Sequence, residues 1–506
     1  MTFYRKVFAQ QTFIANFALL SFDNLRVVWR NTITDMPEIT TIFNDGRTDA
    51  DIITALQEKS VEVREWTTEL IKLYEPTEHT IVKDKQNRKD KVRSDGTTDV
   101  AARIYIGLEK LLVSRITSFM FANPPKRLYH NTEENDTRKN IAKAIELIYK
   151  HARIDSENIK RGKAYFASCE VFTIWYTVES PNTLYGFPSK FKLKCKSYSP
   201  MDGVKLYPLL DERDDMIAMS FEYTKKRGVE SISFFETYTA DKHYLWEQSG
   251  TGWKRVVDGE KISIMKIPGV YNWRPEPFYY GLSHIREDIE YTLSRNSDVI
   301  AYNSAPILKV AGGIQGQENK GNTQRVYRVE NGGDVQYVSW AQADSALRYH
   351  IETLMNMYFM QAQMPDISFE NMKSLGNIGY DARMTLLTDA HLKVGEEAGA
   401  WIEFLERECN VIKAFLKEMN KSWASEIDNV EVEHIISPYI QNDVKADIQN
   451  AMAACGGKPV ISQEEAVQLA GLSADPSKTI EKLKNEADEE MKSRLSVTEA
   501  MLSGGM

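Results

Sequence analysis

A chain of 506 residues, 42% hydrophobic and 27% charged, has the make-up of a globular protein large enough for several domains, which excludes a disordered or fibrous chain. Its formal net charge of −9 excludes a whole-surface grip on nucleic acid, which needs clustered lysine and arginine to displace counterions, but not a protein that encloses DNA without holding it. Cys169, Cys195, Cys409 and Cys455 lie far apart without a C-x-x-C pair, so they read as reduced, packed thiols of a cytosolic protein, and no apolar run approaches the ~18 residues of a membrane span.

In chain order, "FYRKVFAQQTFIANFALLSF" sets an apolar run behind basic residues, but Asn16 interrupts it and no A-x-A site follows, which argues against a secretory signal. "MPEITTIFNDGRTDADIITALQEK" opens at Met36 like a new beginning; residues 1–35 are then an upstream extension, and a start at Met1 or at Met36 stays open. Apolar spacing from Asp49 to Tyr74 predicts one or two amphipathic helices. Residues 82–99 are charged without periodicity and read as an exposed loop; Asp84, Asp90, Asp95 and Asp99 dilute any basic patch there. Helices are expected over 100–122, ending at "NPPKR", and over 137–152.

From Gly162 to Ile267 the pattern changes to short alternating runs rich in β-branched and aromatic residues, a β-rich block. Residues 282–303 then predict a helix with one narrow stripe, Leu282, Ile285, Ile289, Leu293 and Ile300. Arg286, Glu287, Asp288, Glu290, Arg295 and Asp298 are expected to charge its other faces. Residues 306–340 form a small unit: a strand, a glycine-rich loop, and two strands joined by "NGGD" as a hairpin. A helix over 343–363 returns the chain to "MPDISFENMKSLGNIGY", a loop expected to expose Ile367, Phe369, Met372 and Leu375. The longest helix follows over 379–420, with Gly395 and Gly399 as bend points, then a strand at 430–437 and a helical C-terminal part from Asp443. Two antiparallel helices with a compact β module between them make a stalk that one chain buries poorly. A second copy is the natural cover, and a head-to-tail interface that closes makes a ring.

Enzymatic machinery is not found. The pattern G-x-x-x-x-G-K-[ST] is missing, Lys320 and Lys458 sit in ordinary glycine-rich loops, and there is no H-E-x-x-H, G-x-S-x-G or EF-hand loop. His391 with Glu396 and Glu397 reads as a solvated or interface helix face, and Asp443 with Asp447 as first-turn carboxylates favoured by the helix dipole. No catalytic, cofactor-binding or metal residue is assigned.

The order of "YGLSHIREDIEYTLSRNSDVIAYNSAPILKV", the small tip, the return helix and "MPDISFENMKSLGNIGYDARMTLL" resembles the portal proteins of tailed bacteriophages, of the type found in siphophages of Gram-positive hosts. "ISPYIQNDVKADIQNAMA" and "PVISQEEAVQLAGLSADPSKTIEKLKNEADEE" match the same family, so the similarity covers 36–492, and the N-terminal extension departs from it. The resemblance implies an α+β portal fold: a wing over 36–281, a stem helix over 282–305, a clip over 306–342, a returning stem helix over 343–363, a tunnel loop over 364–378, a tunnel helix and wing strand over 379–442, and a crown with a flexible tail over 443–506. It implies a ring of twelve subunits at one vertex of the virion capsid, assembled in the host cytoplasm, through which double-stranded DNA is packaged and ejected without sequence specificity. The implied partners are the terminase large subunit, a head-completion or adaptor protein, and the scaffolding and major capsid proteins, with no membrane and no cofactor.

Met372, Lys373, Ser374, Leu375, Gly376 and Asn377 would line the DNA channel, and Lys373 would either give a transient ring of positive charge or simply keep the loop soluble. Gly312, Gly313, Gln315, Gln317 and Lys320 would serve clip docking, and the 282–300 stripe stem packing. The alternatives are a packaging ATPase or nuclease, another phage head or tail structural protein, and a cytosolic α+β scaffold unrelated to phage.

Overall fold

The computed structural model describes residues 39–366 and 387–439, less the stretches 44–45, 59–60, 212–214, 304–306, 312–313, 321–323, 330–333 and 339–343 and the positions 84, 87, 93, 134, 229 and 251, together with 385, 480 and 482–486. The chain divides into two compact units, Met1–Ser368 with Leu387–Tyr439, and Phe369–Leu386 with Ile440–Met506. The elements below belong to the first.

Helices α1 (Ile39–Ile42), α2 (Asp49–Gln57), α3 (Val61–Tyr74) and α4 (Thr80–Lys83) come first. A reciprocal capping box starts α2: the Thr48 hydroxyl accepts from the Asp51 N–H, and the Asp51 carboxylate accepts from the Thr48 N–H. Strands β1 (Lys91–Val92) and β2 (Thr98–Asp99) pair with each other inside the charged loop. Then follow α5 (Leu108–Phe121), β3 (Lys126–His130), α6 (Asp136–Ala152) and α7 (Ile154–Ser168).

Residues 100–107 are not helical, contrary to the sequence expectation. They run extended along helix α8 (Ser283–Asn303), and three of their N–H groups donate to its side chains. Ala102 bonds to Asp298 Oδ1, Ile104 to Ser294 Oγ and Ile106 to Glu290 Oε1, each at 2.8 Å. Two residues of extended chain advance ~6.7 Å and four of helix ~6 Å, so this register satisfies alternate N–H groups without a helix.

The β-rich block starts at Glu170 rather than Gly162, because 162–168 complete α7. A Cβ at Gly162 would lie 2.7 Å from the Phe121 ring, so glycine is what lets α7 lie close on α5. Strands β4 (Glu170–Asn182), β5 (Ser189–Tyr198), β6 (Lys205–Leu210), β7 (Met216–Arg227), β8 (Glu230–Thr239), β9 (Lys242–Ser249), β10 (Gly252–Lys261) and β11 (Gly269–Trp273) make a three-stranded sheet, β11-β4-β5, and a five-stranded sheet, β10-β9-β8-β7-β6. Alternation assigns their faces. Phe172 and Ile174 point with Leu206, Met219 and Phe221 into a core between the two sheets. Trp175 and Leu193 point the other way, into the helical core with Ile116, Ile145, Phe404 and Ile412. Ile52, Ile53 and Leu56 of α2 cover the far side of the five-stranded sheet.

Between α8 and helix α9 (Asp344–Gln361) lie β12 (Ile307–Ala311), β13 (Ile314–Lys320), β14 (Gln324–Val329) and β15 (Asp334–Val338). The "NGGD" hairpin expectation fails: β14 pairs with β13, and β15 pairs with β12. The ribbon is nested, with its reversal between Lys320 and Gln324, and the expected glycine-rich loop contains a strand. Helix α10 (Thr388–Met419) and β16 (Glu431–Ile435) complete the unit, β16 pairing antiparallel with β3.

Candidate ring interface and channel entrance

Helix α9 ends through its own chemistry. Gln363 takes a left-handed conformation, φ 52°, and its N–H reaches Met360 O while the Met364 N–H reaches Phe359 O, both at 3.1 Å. This is a Schellman motif, with Pro365 behind it to prevent continuation. Phe359 and Met364 are buried in the helical core, so Met364 belongs to the core and not to an exposed loop. From α5, Arg115 Nη1 donates to Pro365 O and Nη2 to Asp366 Oδ1, both at 3.0 Å, while its guanidinium lies 4.6 Å from the Phe359 ring centre. A buried arginine thus fixes the two residues that follow the Schellman motif. Met372, Lys373, Ser374, Leu375, Gly376 and Asn377 lie outside the described residues.

The stripe of α8 divides. Leu282 and Ile289 are buried within this chain's own core and Ile285 and Leu293 are partly buried against it, whereas Ile300 is 53% exposed. Arg286 and Glu290, expected on charged outer faces, have no exposure at all. Arg286 Nε donates to Glu109 Oε1 at 2.8 Å and Nη1 to Glu290 Oε2 at 2.9 Å, and His79 Nδ1 lies 2.7 Å from Glu290 Oε1. Burial raises the Glu109 carboxyl above its ordinary range, against the pull of Arg286. Arg88 pairs with Asp298. Helix α5, through Glu109, and the chain at His79 and Arg88 are therefore tied to α8 by paired charge, and the fully buried Glu109–Arg286–Glu290 cluster breaks at high cost if one partner is removed.

A second buried pair holds α10. Arg161 donates twice to Glu408, at 2.6 and 2.9 Å, and the Trp175 indole N–H reaches Glu408 Oε1 at 3.0 Å. Further along α10, Arg274 engages Glu397 at 3.1 Å and Lys393 engages Glu396 at 2.8 Å, so both carboxylates have partners. Among the described residues no group of three His, Cys, Asp or Glu side chains could hold a metal ion. Asp443 and Asp447 lie outside the described residues. A cavity of about 700 Å³ beside β11 and α10 has Asp215, Lys266, Asn272, Glu403, Arg407 and Asn410 as its polar lining, with Arg407 already on Glu403 at 2.6 Å. Burial pushes the thiols of Cys169 and Cys195 up to about 12 and that of Cys409 to about 11, so these free cysteines carry no thiolate at neutral pH; Cys455 lies outside the described residues.

Large apolar side chains on α8 and α9 face solvent: Tyr291 and Ile300 on α8, and Tyr349, Met357 and Met360 on α9, with Tyr349 at 72% and Met360 at 69% exposure. Leu392 on α10 is exposed as well. Of the residues expected to serve clip docking, Gln315, Gln317 and Lys320 lie on β13, and Gly312 and Gly313 lie outside the described residues. Arg115, Arg161 with Glu408, and Glu109 were not singled out from the sequence, and Arg286 and Glu290 were expected on charged outer faces. A signal existed: Arg286 and Glu290 share the stripe of Leu282, Ile289 and Leu293, and Arg115 shares that of Leu112, Ile116 and Phe119.

Two of the solved structures that match the chain show what it is similar to. They are described as the neck of an empty GTA particle computed with C6 symmetry (12% identity, 72% of this chain and 89% of that chain, TM-score 0.34) and the neck of a native GTA particle computed with C12 symmetry (10%, 72%, 91%, 0.34). No curated protein matches. The family described as "Phage portal protein, SPP1 Gp6-like" matches residues 58–493, a range that holds α3 to α10. With most of its length covered in that order, this chain belongs to the SPP1 Gp6-like family of phage portal proteins.

Proposed function

We propose that this portal protein forms a ring at one capsid vertex through which double-stranded DNA is packaged and ejected, and on which the terminase large subunit and a head-completion protein dock in turn. The family match over 58–493 carries the reading. The exposed apolar residues of α8 and α9 support it, since one chain leaves Ile300, Tyr349 and Met360 in water where a neighbouring copy would cover them. Twelve copies are the proposed stoichiometry. Scaffolding and major capsid proteins would surround the ring in the assembling head.

In this reading 283–361 is stem and clip, the stretch beyond Asp366 is the tunnel loop, 388–419 is the tunnel helix and the C-terminal part is the crown. Met372, Leu375 and Asn377 would meet the duplex at the constriction, and Gln315, Gln317 and Lys320 would meet docking proteins. The net charge of −9 per chain serves passage, because an acidic ring repels phosphate and keeps the path free of deep minima. The Leu375→Glu variant tests it. A new circle of carboxylates at a narrow point, where screening is weak, should abolish DNA packaging while rings and procapsids still form. Normal packaging by this variant would overturn the tunnel assignment.

A further inference from the structure

Strand β5 carries lysine at four successive alternate positions, Lys190, Lys192, Lys194 and Lys196, in "SKFKLKCKSY". Period-two geometry puts all four on one face, ~6.7 Å apart and spanning ~20 Å. Three are exposed and Lys192 is partly so. Among the described residues no carboxylate pairs with any of them, although the chain as a whole is acidic. At one end the Lys196 ammonium lies 4.5 Å from the Tyr198 ring centre; Tyr198 stacks on Tyr223, and Lys225 lies over Tyr223 at 4.9 Å. The cationic line therefore continues onto the five-stranded sheet over an aromatic base.

Edge strands commonly carry lysine to discourage pairing with another strand, and β5 is an edge strand. Here the edge is already closed by other groups. The Leu193 N–H donates to the Tyr185 hydroxyl at 3.0 Å, the Phe191 N–H donates to Ser189 Oγ at 3.2 Å, and Phe191 O accepts from Asn182 Nδ2 at 3.1 Å. Guarding the edge does not require the lysines, and an added peptide strand finds no free ladder at 191–193. What remains is a line of unpaired point charges.

We propose that the lysine face of β5 is a landing surface for the phosphate backbone of double-stranded DNA, distinct from the channel loop. All four residues are lysine and none arginine, which suits charge neutralisation without fixed geometry rather than the bidentate capture of carboxylates. The choice of DNA over an acidic protein rests on the reading that this chain works beside double-stranded DNA. Each lysine that neutralises a phosphate releases counterions, so four give a slope of about −3.6 in log K against log salt, or about 150-fold weaker binding from 50 to 200 mM.

The test is fluorescence anisotropy of a 30-bp duplex with the purified full-length protein over that salt range. The quadruple variant Lys190→Gln, Lys192→Gln, Lys194→Gln, Lys196→Gln should lose the affinity and flatten the slope, with its melting temperature unchanged. The corresponding quadruple Lys→Arg variant should retain both. A control with Lys139, Lys143, Lys150 and Lys160 changed to Gln has the same net charge and should bind as the unaltered protein does. Equal loss in the control, or an unchanged slope in the β5 variant, overturns the proposal. Binding of a polyglutamate peptide through these lysines, with none of the duplex, overturns it in favour of an acidic protein partner. None of these results bears on DNA transit, which Leu375→Glu addresses separately.

Discussion

Replacing Arg115 by methionine keeps the length and apolar stem of the side chain and deletes its donors. The loss comprises the 3.0 Å bonds to Pro365 O and Asp366 Oδ1 and the cation over Phe359. Charge-assisted hydrogen bonds contribute ~1.5–3 kcal/mol each and a cation–π contact ~0.5–1 kcal/mol. The Asp366 side chain is 21% exposed, so water recovers part of this, and about 3 kcal/mol remains for local opening. At 1.4 kcal/mol per decade that is roughly 100-fold in the opening equilibrium. Hydrogen exchange at the Gln363 and Met364 amides, which close the Schellman motif, reads it directly. Arg115→Met should speed both by about that factor with the β-sheets unaffected, and packaged DNA should be retained less well. Exchange within threefold of the unaltered protein would refute the idea that Arg115 fixes the chain after the Schellman motif.

Ile300→Asp should abolish rings in mass photometry while circular dichroism stays normal, because Ile300 is exposed in the single chain; Ile289→Asp should instead unfold the chain, since a buried unpaired carboxylate costs several kcal/mol. Burial, with Arg127 acting in the same direction, pushes His434 down to about 4 from its ordinary 6.5. The unfolded chain then binds a proton that the native one refuses, so this stability is full above pH 6.5 and is lost as pH falls towards 4, by about 3 kcal/mol. His434→Phe should flatten urea-unfolding stability over that window, and an unchanged pH slope would reject the assignment. Gln363→Gly should raise stability by about 1 kcal/mol, since glycine bears the left-handed conformation without a Cβ penalty; a loss would mean that the Gln363 side chain makes a needed contact.

Periodicity carried much of the fold. The helix expected over 282–303 occurs as Ser283–Asn303, and the strand expected over 430–437 as Glu431–Ile435, because each has a strong period and clear end signals. What escaped was set by distant partners. Residues 100–107 are extended because Glu290, Ser294 and Asp298 offer acceptors at the right spacing, which local sequence does not encode. "NGGD" is a sound hairpin signal locally, yet the pairing of β12 with β15 overrides it. Arg286 and Glu290 were read as solvated because charge usually is, but Glu109 and His79, supplied from elsewhere in the chain, permit their burial. Met364 was placed in the loop because the Schellman reversal there uses glutamine where the usual cue is glycine.

The pairing of β3 with β16 sets a clock on synthesis. His130 and Glu433 are neighbours in the folded unit but 303 positions apart in the chain, and Arg161 waits 247 positions for Glu408. At about 5–20 residues per second the ribosome takes roughly 15–60 s to bridge the longer gap. Throughout that interval β3 is an unpaired strand and Arg161 a charge without its carboxylate, while α8, β12–β15 and α9 between them have already emerged. A nascent chain therefore offers the helices proposed to meet a neighbouring copy before its body can close. Assembly begun on the ribosome would join incomplete subunits, and a factor that shields the emerging α8 and α9 for about a minute would raise the yield of closed rings.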